Sequence, residues 1–385
     1  MASEPSIDRA APATQASGAA RAGRAFTPPP PTPNDTLRSP EVGADRRVTF
    51  RIYAPDARQV SVSGDLFEWG QTLDLARDEQ GVWTGTTAET VPGTYRYTFR
   101  VDGVSTVDPK NVEASPTHTT VMSLVRIIGP GSEFEDTQPV PHGAVAAITY
   151  PSSTFGMQRR MHVYTPPGYD KSGASYPALY LLHGGGDADV SWSTIGRAGL
   201  ILDNLIADGR ARSMLVVMPA GHAPGSVARP GSSPAMGPDP AGDPFTRDLL
   251  QDIIPYVEKS CRVSVQRQDR ALAGLSMGGV QAANIGLVYA NMFPYLGIFS
   301  SGWFPEVRAE FEKLHGADLD ADRAKLKLLW VAYGKDDIAN ENSRAMLEMF
   351  DRHGLKYMSK ETEGGHTWLN WRHYLAEFAP LLFRS

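Results

Sequence analysis

The sequence predicts an α/β fold with a mostly parallel central sheet, preceded by a small all-β sandwich. Two patterns in the chain predict this architecture. Residues 44–125 contain short runs that alternate apolar and polar side chains between turn residues, which is typical of half-buried antiparallel strands. From about residue 142, nearly continuous apolar runs alternate with segments of helical spacing, as expected for parallel strands covered by helices on both faces.

Length and composition favour a globular protein of two domains. The chain has 385 residues, 41% of them hydrophobic, and a net charge of −6, which argues against a nucleic-acid or anionic-membrane partner. No apolar run approaches the roughly 18 residues that a membrane span needs. The single cysteine, Cys261, excludes an intrachain disulfide and a multi-cysteine metal site.

The first 40 residues are rich in alanine, proline, serine and arginine and carry few large apolar side chains. Such a segment cannot offset its ordering entropy, so we expect residues 1–40 to be disordered. Residues 1–10 contain no stretch that resembles a signal peptide. We therefore expect a secreted or periplasmic protein whose signal has been removed, and a cytoplasmic location stays open.

The sandwich is expected to occupy residues 41–127. Its clearest strands are predicted at residues 48–54, 59–63, 81–85 and 94–101, with a hairpin turn at residues 101–104. A connector rich in proline and glycine, residues 128–141, follows as a predicted linker.

The α/β domain is expected to span residues 142–385. Apolar runs predict buried strands at residues 177–182, 214–218, 271–273, 296–299 and 326–332. Helical spacing predicts helices between them, at residues 198–208, 247–260 and 278–291.

A Gly-x-Ser-x-Gly motif lies where the strand at residues 271–273 should pass into a helix. The pentapeptide Gly-Leu-Ser-Met-Gly at residues 274–278 places Ser276 on a sharp turn, where its hydroxyl can be exposed as a nucleophile. The motif alone is modest evidence, because a tight turn that only packs a helix on a strand has the same sequence. The nucleophile interpretation therefore requires further catalytic residues elsewhere in the chain.

A glycine-rich loop, Leu-His-Gly-Gly-Gly at residues 182–186, follows an early strand. In α/β-hydrolases such a loop supplies one amide of the oxyanion hole, and the residue after the nucleophile supplies the other. We therefore predict that the amides of Gly185 and Met277 bind the oxyanion. His183 is expected to support the loop rather than to act in catalysis.

An acidic pair, Asp336 and Asp337, follows the strand at residues 326–332. A carboxylate at this point could orient a catalytic histidine. We prefer Asp337 because a Gly-x-x-Asp turn places it toward the site, and Asp336 remains the alternative.

His366 lies in a glycine-rich loop before the last helix and is the predicted general base. The chain order Ser276, Asp337, His366 is the order found in α/β-hydrolases. His222, which follows a predicted strand, is the closest rival as base. Acyl transfer by such a triad requires no metal or organic cofactor, and we expect none.

These motifs resemble the carbohydrate esterase family 1 group of feruloyl and acetylxylan esterases. The resemblance rests on Tyr-Thr-Pro-Pro-Gly-Tyr-Asp at residues 164–170, Leu-His-Gly-Gly-Gly at 182–186, Leu-Ser-Met-Gly-Gly at 275–279 and Gly-Gly-His-Thr-Trp at 364–368. It implies an α/β-hydrolase that cleaves feruloyl (hydroxycinnamoyl) or acetyl esters of plant cell-wall polysaccharides. The broader group includes enterochelin esterases and esterase D.

The N-terminal block resembles family 48 carbohydrate-binding modules, which have an immunoglobulin-like sandwich. Starch-binding members carry a lysine and a tryptophan where this chain has Thr98 and Val104. Stacking on a glucan is therefore doubtful, although Trp69 could face a sugar. Trp69 and Trp83 could equally be core anchors of the sandwich. We interpret the module as a packing partner that shapes the rim of the active site.

Four side chains near the predicted site are candidates for substrate binding: Trp192, His222, Trp303 and Trp368. One or two tryptophans could stack on an aromatic acyl group, although burial in packing is more usual for tryptophan. The structureless residues 221–243 are predicted to form a rim or lid, or only a spacer.

Three functions remain open at this point. The leading hypothesis is a feruloyl or acetyl esterase that acts on a plant polysaccharide ester or its oligosaccharides. The second is a siderophore-lactone esterase, which the charge of −6 does not favour because the ferric complexes are anionic. The third is a glycan-binding protein with an inactive hydrolase scaffold, which the complete set of triad residues argues against. The sequence does not indicate an oligomeric state.

Overall fold

The computed structural model describes residues 30–225, 237–322 and 324–384. Most of the predicted disordered segment, residues 1–29, and the middle of the predicted rim, residues 226–236, lie outside these ranges. Residues 30–40 include a short 3₁₀ turn, Pro33–Asp35, and Ser39 is buried and accepts a hydrogen bond from the Arg51 amide.

The N-terminal part of the chain is all β. Its strands are β1 (Glu41–Val42), β2 (Val48–Tyr53), β3 (Val60–Gly64), β4 (Leu73–Asp74), β5 (Ala76–Arg77), β6 (Val82–Thr86), β7 (Gly93–Val101), β8 (Val104–Thr106), β9 (Ala114–Pro116) and β10 (Val121–Ile127). One sheet has the order β1-β2-β6-β5, and the other has the order β4-β3-β7-β10-β9 with β8 beside β7. All of these pairings are antiparallel.

Alternation of side chains builds the sandwich core. Every second residue of β2 is buried, and Phe50 packs against Tyr97 with ring centroids 4.7 Å apart. Trp83 is also a core residue, since it is 7% exposed and its indole N–H donates to the Ala54 carbonyl. Trp69 is fully exposed, so of these two tryptophans Trp83 alone belongs to the core of the sandwich.

The rest of the described chain alternates strands and helices around one sheet. In chain order these are β11 (Ala144–Ser152), β12 (Met157–Thr165), β13 (Ala178–Leu182), α1 (Ala198–Ala207), β14 (Leu215–Pro219), α2 (Pro244–Arg247), α3 (Ile254–Ser260), β15 (Arg270–Leu275), α4 (Met277–Val288), β16 (Tyr295–Phe299), α5 (Pro305–Asp322), β17 (Leu328–Gly334), α6 (Asn340–Arg352), β18 (Met358–Thr362) and α7 (Trp368–Phe378). Among the described residues, we find no helix with both the length and the apolar character that a membrane crossing requires.

The eight-stranded sheet is mixed but mostly parallel, with the order β11-β12-β14-β13-β15-β16-β17-β18. The five pairings from β14 to β18 are parallel, and β11 and β12 add two antiparallel pairings at one edge. The apolar runs predicted the five central strands because those strands are buried on both faces. The two edge strands β11 and β18 are largely exposed and carry no such run. The predicted helix at residues 247–260 is interrupted by a π-helical turn, Asp248–Ile253.

The sandwich and the α/β part are joined by buried polar contacts. Arg372 of α7 forms an ion pair with Glu135, and both side chains are about 1–2% exposed. Arg372 also donates to the carbonyls of Thr94 in β7 and Ile195. Glu135 belongs to residues 128–141, so this predicted linker is packed between the two parts of the molecule.

Candidate active site

The turn between β15 and α4 holds Ser276 in a strained conformation. Its φ is 51° and its ψ −117°, a region that residues with a side chain rarely adopt and that the nucleophile elbow imposes. A Cβ on Gly274 would lie 2.2 Å from the Gly278 carbonyl oxygen, and a Cβ on Gly278 would lie 2.6 Å from that of His183. Only glycine fits at these two positions, so the motif is sterically required here.

Three side chains from separate loops meet at this turn. The Oγ of Ser276 lies 2.9 Å from Nε2 of His366, and Nδ1 of His366 lies 2.8 Å from Oδ1 of Asp337. The histidine loop approaches closely because Gly334 has no side chain: a Cβ there would lie 2.1 Å from the Gly364 carbonyl oxygen. The structure thus brings together the three residues that the motifs predicted.

Asp337, rather than Asp336, faces His366. Burial alone would raise the pKa of Asp337, but hydrogen bonding to His366 and to the Ala339 amide outweighs this effect and lowers the pKa below its ordinary value. Asp337 is therefore an anionic acceptor at neutral pH. Asp336 is exposed, and its amide donates to the Gly364 carbonyl in the histidine loop.

The glycine-rich loop after β13 lies against the nucleophile. A turn in which the Asp187 amide donates to the Gly184 carbonyl presents Gly185 at its tip. A Cβ on Gly184 would lie 3.5 Å from the Ser276 Cβ, and one on Gly185 would lie 3.9 Å from the Met277 Cβ. Met277 begins α4, where the first amides have no acceptor within the helix. This placement is compatible with the Gly185 and Met277 amides as oxyanion donors, which remains our prediction.

His183 and His222 lie beside this loop in a line of three histidines. Nδ1 of His183 donates to the Gly184 carbonyl and its Nε2 accepts from the Gly221 amide, so His183 supports the loop. The ring of His222 stacks on His118 at 3.8 Å and lies 5.3 Å from that of His183. Burial lowers the pKa of His222 to about 4. His222 is therefore a neutral packing residue, and the Ser276 hydroxyl donates its hydrogen bond to Nε2 of His366 instead.

The tryptophans proposed to bind substrate are buried, and this corrects the expectation. Trp192 and Trp303 are each 1% exposed, and their indole N–H groups donate to the Leu182 carbonyl and the Asn284 side chain. Trp368 is 5% exposed and packs edge-on against Trp192. With no free face, these rings serve packing, which was the alternative interpretation.

Three further polar residues near the site were not predicted from the sequence. Ser301 donates to the Ser276 carbonyl at 2.8 Å, and Ser343 donates in turn to the Ser301 carbonyl. Asp187 follows the three glycines, and an acid at the end of such a loop could have suggested a supporting role. Within the described ranges, no group of three or more His, Cys, Asp and Glu side chains is arranged to hold a metal ion.

Comparison with known families matches both parts of the chain. The model of the Esterase family matches residues 152–382, which include all three side chains of the site. The chain belongs to the Esterase family. The model of carbohydrate-binding module 48, the isoamylase N-terminal domain, matches residues 38–117. The chain therefore combines an α/β part of the Esterase family with an N-terminal module of that type.

A curated relative agrees with this assignment. The esterase is 33% identical over 358 residues to an endo-1,4-beta-xylanase/feruloyl esterase of Xylanibacter ruminicola. The match covers 90% of this chain and 46% of the relative, so the chain spans less than half of the relative's length.

Some solved structures resemble the α/β part of the chain, and others resemble the sandwich and the α/β part together. A ferulic acid esterase of Anaeromyces mucronatus is 26% identical with a TM-score of 0.57, over 66% of this chain and 96% of that one. The enterobactin esterase of Shigella flexneri is 18% identical with a TM-score of 0.62, over 88% of this chain and 92% of that one. The second likeness extends over the sandwich as well, but at this identity it is a likeness of fold alone.

Proposed function

We propose that this protein is a serine esterase that hydrolyses feruloyl or acetyl esters of plant cell-wall polysaccharides. The observation that carries the proposal is the hydrogen-bonded chain from Ser276 through His366 to Asp337. Its members come from three loops at the carboxyl edge of the sheet, where α/β enzymes bind their ligands.

The proposed reaction has two acyl-transfer steps. Ser276 Oγ attacks the ester carbonyl carbon while Nε2 of His366 takes the hydroxyl proton, and Asp337 stabilises the imidazolium that forms. The amides of Gly185 and Met277 bind the tetrahedral oxyanion, an effect commonly worth about 3 kcal/mol per donor.

Collapse of the tetrahedral intermediate breaks the bond to the alcohol oxygen, and His366 returns its proton to the departing sugar hydroxyl. A water molecule then attacks the acyl-enzyme in the same way. The carboxylic acid leaves, and Ser276 regains its proton.

Two exposed apolar side chains support an aromatic acyl group as substrate. Ile338, which directly follows Asp337, is 83% exposed, and Phe304, in the loop after β16, is 57% exposed. Ser343, in the first turn of α6 shortly after Ile338, donates to the Ser301 carbonyl, so the beginning of α6 lies against the loop that carries Phe304. We propose that these side chains, rather than the buried tryptophans, contact the acyl group.

The relatives support a polymeric substrate. The Xylanibacter protein is named as a xylanase and feruloyl esterase, and the Anaeromyces protein as a ferulic acid esterase. A polysaccharide cannot cross a cell membrane, so we propose that this esterase acts outside the cytoplasm.

A panel of esters tests the proposal. Acetyl and feruloyl esters with matched leaving groups, feruloylated and acetylated xylo-oligosaccharides, and a catecholate trilactone are compared by kcat/KM. The proposal predicts that a polysaccharide-derived ester has the highest kcat/KM. Preference for the trilactone would indicate a siderophore esterase instead. Binding of xylan with no turnover on any ester would indicate a glycan-binding protein.

A further inference from the structure

Arg96 is a buried cation of the sandwich that reaches the glycine-rich loop of the active site. It lies in β7, where Tyr95, Tyr97 and Phe99 fill the sandwich core, so Arg96 is on the opposite face of that strand. Its Nη1 donates to Oδ1 of Asp187 at 2.7 Å, and both side chains are 7% exposed. This ion pair joins residues 91 positions apart in the two parts of the chain.

The other two side-chain nitrogens of Arg96 also donate hydrogen bonds. Its Nη2 donates to the Ser191 hydroxyl at 2.9 Å and its Nε to the Ser115 hydroxyl at 3.1 Å. Ser115 in β9 is itself hydrogen-bonded to Thr194 at 2.8 Å. A guanidinium held by three partners has a fixed position, and so does the carboxylate that it binds.

Asp187 connects this cation to the reacting atoms. Its amide closes the turn that presents Gly185, and its Oδ2 lies 3.2 Å from where a Cβ of Gly184 would be. The same Gly184 position lies 3.5 Å from the Cβ of Ser276. A shift of the Asp187 carboxylate would therefore move the backbone of the loop next to the nucleophile.

A second contact from the sandwich acts on the same loop. The amide of His118, beyond β9, donates to the Gly186 carbonyl at 3.1 Å. Arg96 also lies over the ring of Trp368, two residues after His366, at 5.6 Å from its centroid. Residues of the sandwich thus contact the glycine-rich loop and Trp368, which begins α7 directly after the loop of His366.

We infer that Arg96 is a positioning residue for the ester hydrolysis: it acts through Asp187 to fix the glycine-rich loop that binds the oxyanion. The inference rests on the proposed function. It makes the carbohydrate-binding-type module an integral part of the active site, even for an ester too small to touch the sandwich. Small displacements of groups that stabilise a transition state commonly cost about 100-fold in rate.

The test uses the full chain and 4-nitrophenyl acetate. This ester is too small to touch the sandwich, so a change in its rate of hydrolysis reports on the glycine-rich loop. Arg96→Met is expected to lower kcat about 10- to 100-fold with KM within about threefold, because the loss falls on the transition state. Arg96→Lys should recover part of the loss, since it keeps the charge but not the three-point contact. Arg100→Met is the matched control, because Arg100 lies in the same strand and is exposed. Its kcat should equal that of the wild type.

Inhibitors separate positioning from a general structural effect. Phenylboronic acid forms a tetrahedral adduct with a serine nucleophile, so its inhibition constant should rise in Arg96→Met by about the factor lost in kcat/KM. Inhibition by ferulate, a ground-state product, should not change. An Arg96→Met protein with wild-type kcat and boronate affinity would overturn the inference.

A double variant covers the case in which the single variant does not fold. Arg96→Met leaves Asp187 buried and unpaired, whereas Arg96→Met with Asp187→Asn removes both charges and is better tolerated. The double variant should lose no more activity than Asp187→Asn alone, because Arg96 acts through Asp187. A double variant that loses clearly more activity than Asp187→Asn alone, or one with wild-type kcat, would contradict the inference. The proposed function has a separate test, since it fails if replacement of Ser276 leaves ester hydrolysis unchanged.

Discussion

Nδ1 of His366 lies 2.8 Å from Oδ1 of Asp337, whose side chain has no exposed surface. A buried anion at this distance fixes the tautomer of the imidazole, because Nδ1 must carry the proton that it donates. Nε2 is then free to accept the hydroxyl proton of Ser276, 2.9 Å away.

Asp337→Asn should lower kcat about 10⁴-fold on 4-nitrophenyl acetate, because an amide at this position favours the unproductive tautomer of His366. The measurement is steady-state hydrolysis followed at the nitrophenolate absorbance. Asp336→Asn is the control and should stay within about threefold of the wild type, since Asp336 is exposed. If the two variants had the same activity, the assignment of the orienting carboxylate would be wrong.

Gly274→Ala should both destabilise the protein and abolish activity. The added Cβ would lie 2.2 Å from the Gly278 carbonyl oxygen, and relief of this clash would distort the turn that carries Ser276. We expect a loss of about 3 kcal/mol in the free energy of unfolding, measured by urea titration. Gly173→Ala is the matched control, because a Cβ there would meet no atom within 4 Å. Wild-type stability and kcat in Gly274→Ala would contradict this account of the turn.

Trp303→Phe should lower the stability of the fold but leave the selectivity between feruloyl and acetyl esters unchanged. The substitution keeps a ring against Phe311, 4.5 Å between centroids, and removes the hydrogen bond to Asn284. A loss of about 1–2 kcal/mol in unfolding free energy is expected. The ratio of kcat/KM for feruloyl and acetyl esters should remain within about twofold. A selective loss on the feruloyl ester would show that this ring contacts substrate after all.

Asp189 should contribute stability that disappears in acid. Burial alone would raise its pKa, but hydrogen bonds from Arg160 and His162 outweigh burial and lower the pKa from 3.8 to about 2. Because the folded-state pKa is the lower one, the contribution is present above about pH 4 and is lost as pH falls toward 2. The shift corresponds to about 2 kcal/mol.

Urea titrations of the wild type and Asp189→Asn at pH 5 and pH 2 measure this contribution. The difference in unfolding free energy between the two proteins should shrink by about 2 kcal/mol at the lower pH. A difference that is the same at both values would contradict the lowered pKa of Asp189.

The parts of the site that the sequence predicted are those specified by short segments. The elbow around Ser276, the choice of Asp337 over Asp336 and the loop of His366 each follow from glycine spacing and from the end of an apolar strand. The buried strands of the parallel sheet were equally visible, because both of their faces are apolar. Strands β11 and β18 escaped prediction since an exposed edge strand has no such pattern.

Contacts between distant segments could not be predicted. Nothing near Arg96 in the sequence indicates that its partner is Asp187, because the pairing depends on how the sandwich docks on the α/β part. The tryptophans were misjudged for the same reason. Their positions at the ends of elements suggested a rim, whereas packing by α7 and α5 buries them.

The most direct test of the account is the hydrolysis of methyl ferulate and 4-nitrophenyl acetate by Ser276→Ala. Both substrates should lose at least about 10⁴-fold in kcat/KM, because Ser276 is the hydroxyl that is hydrogen-bonded to His366 and forms the acyl-enzyme in the proposed reaction. The variant should unfold within a few degrees of the wild-type Tm, so that the loss cannot be assigned to misfolding. Hydrolysis at the wild-type rate by a folded Ser276→Ala protein would contradict the account.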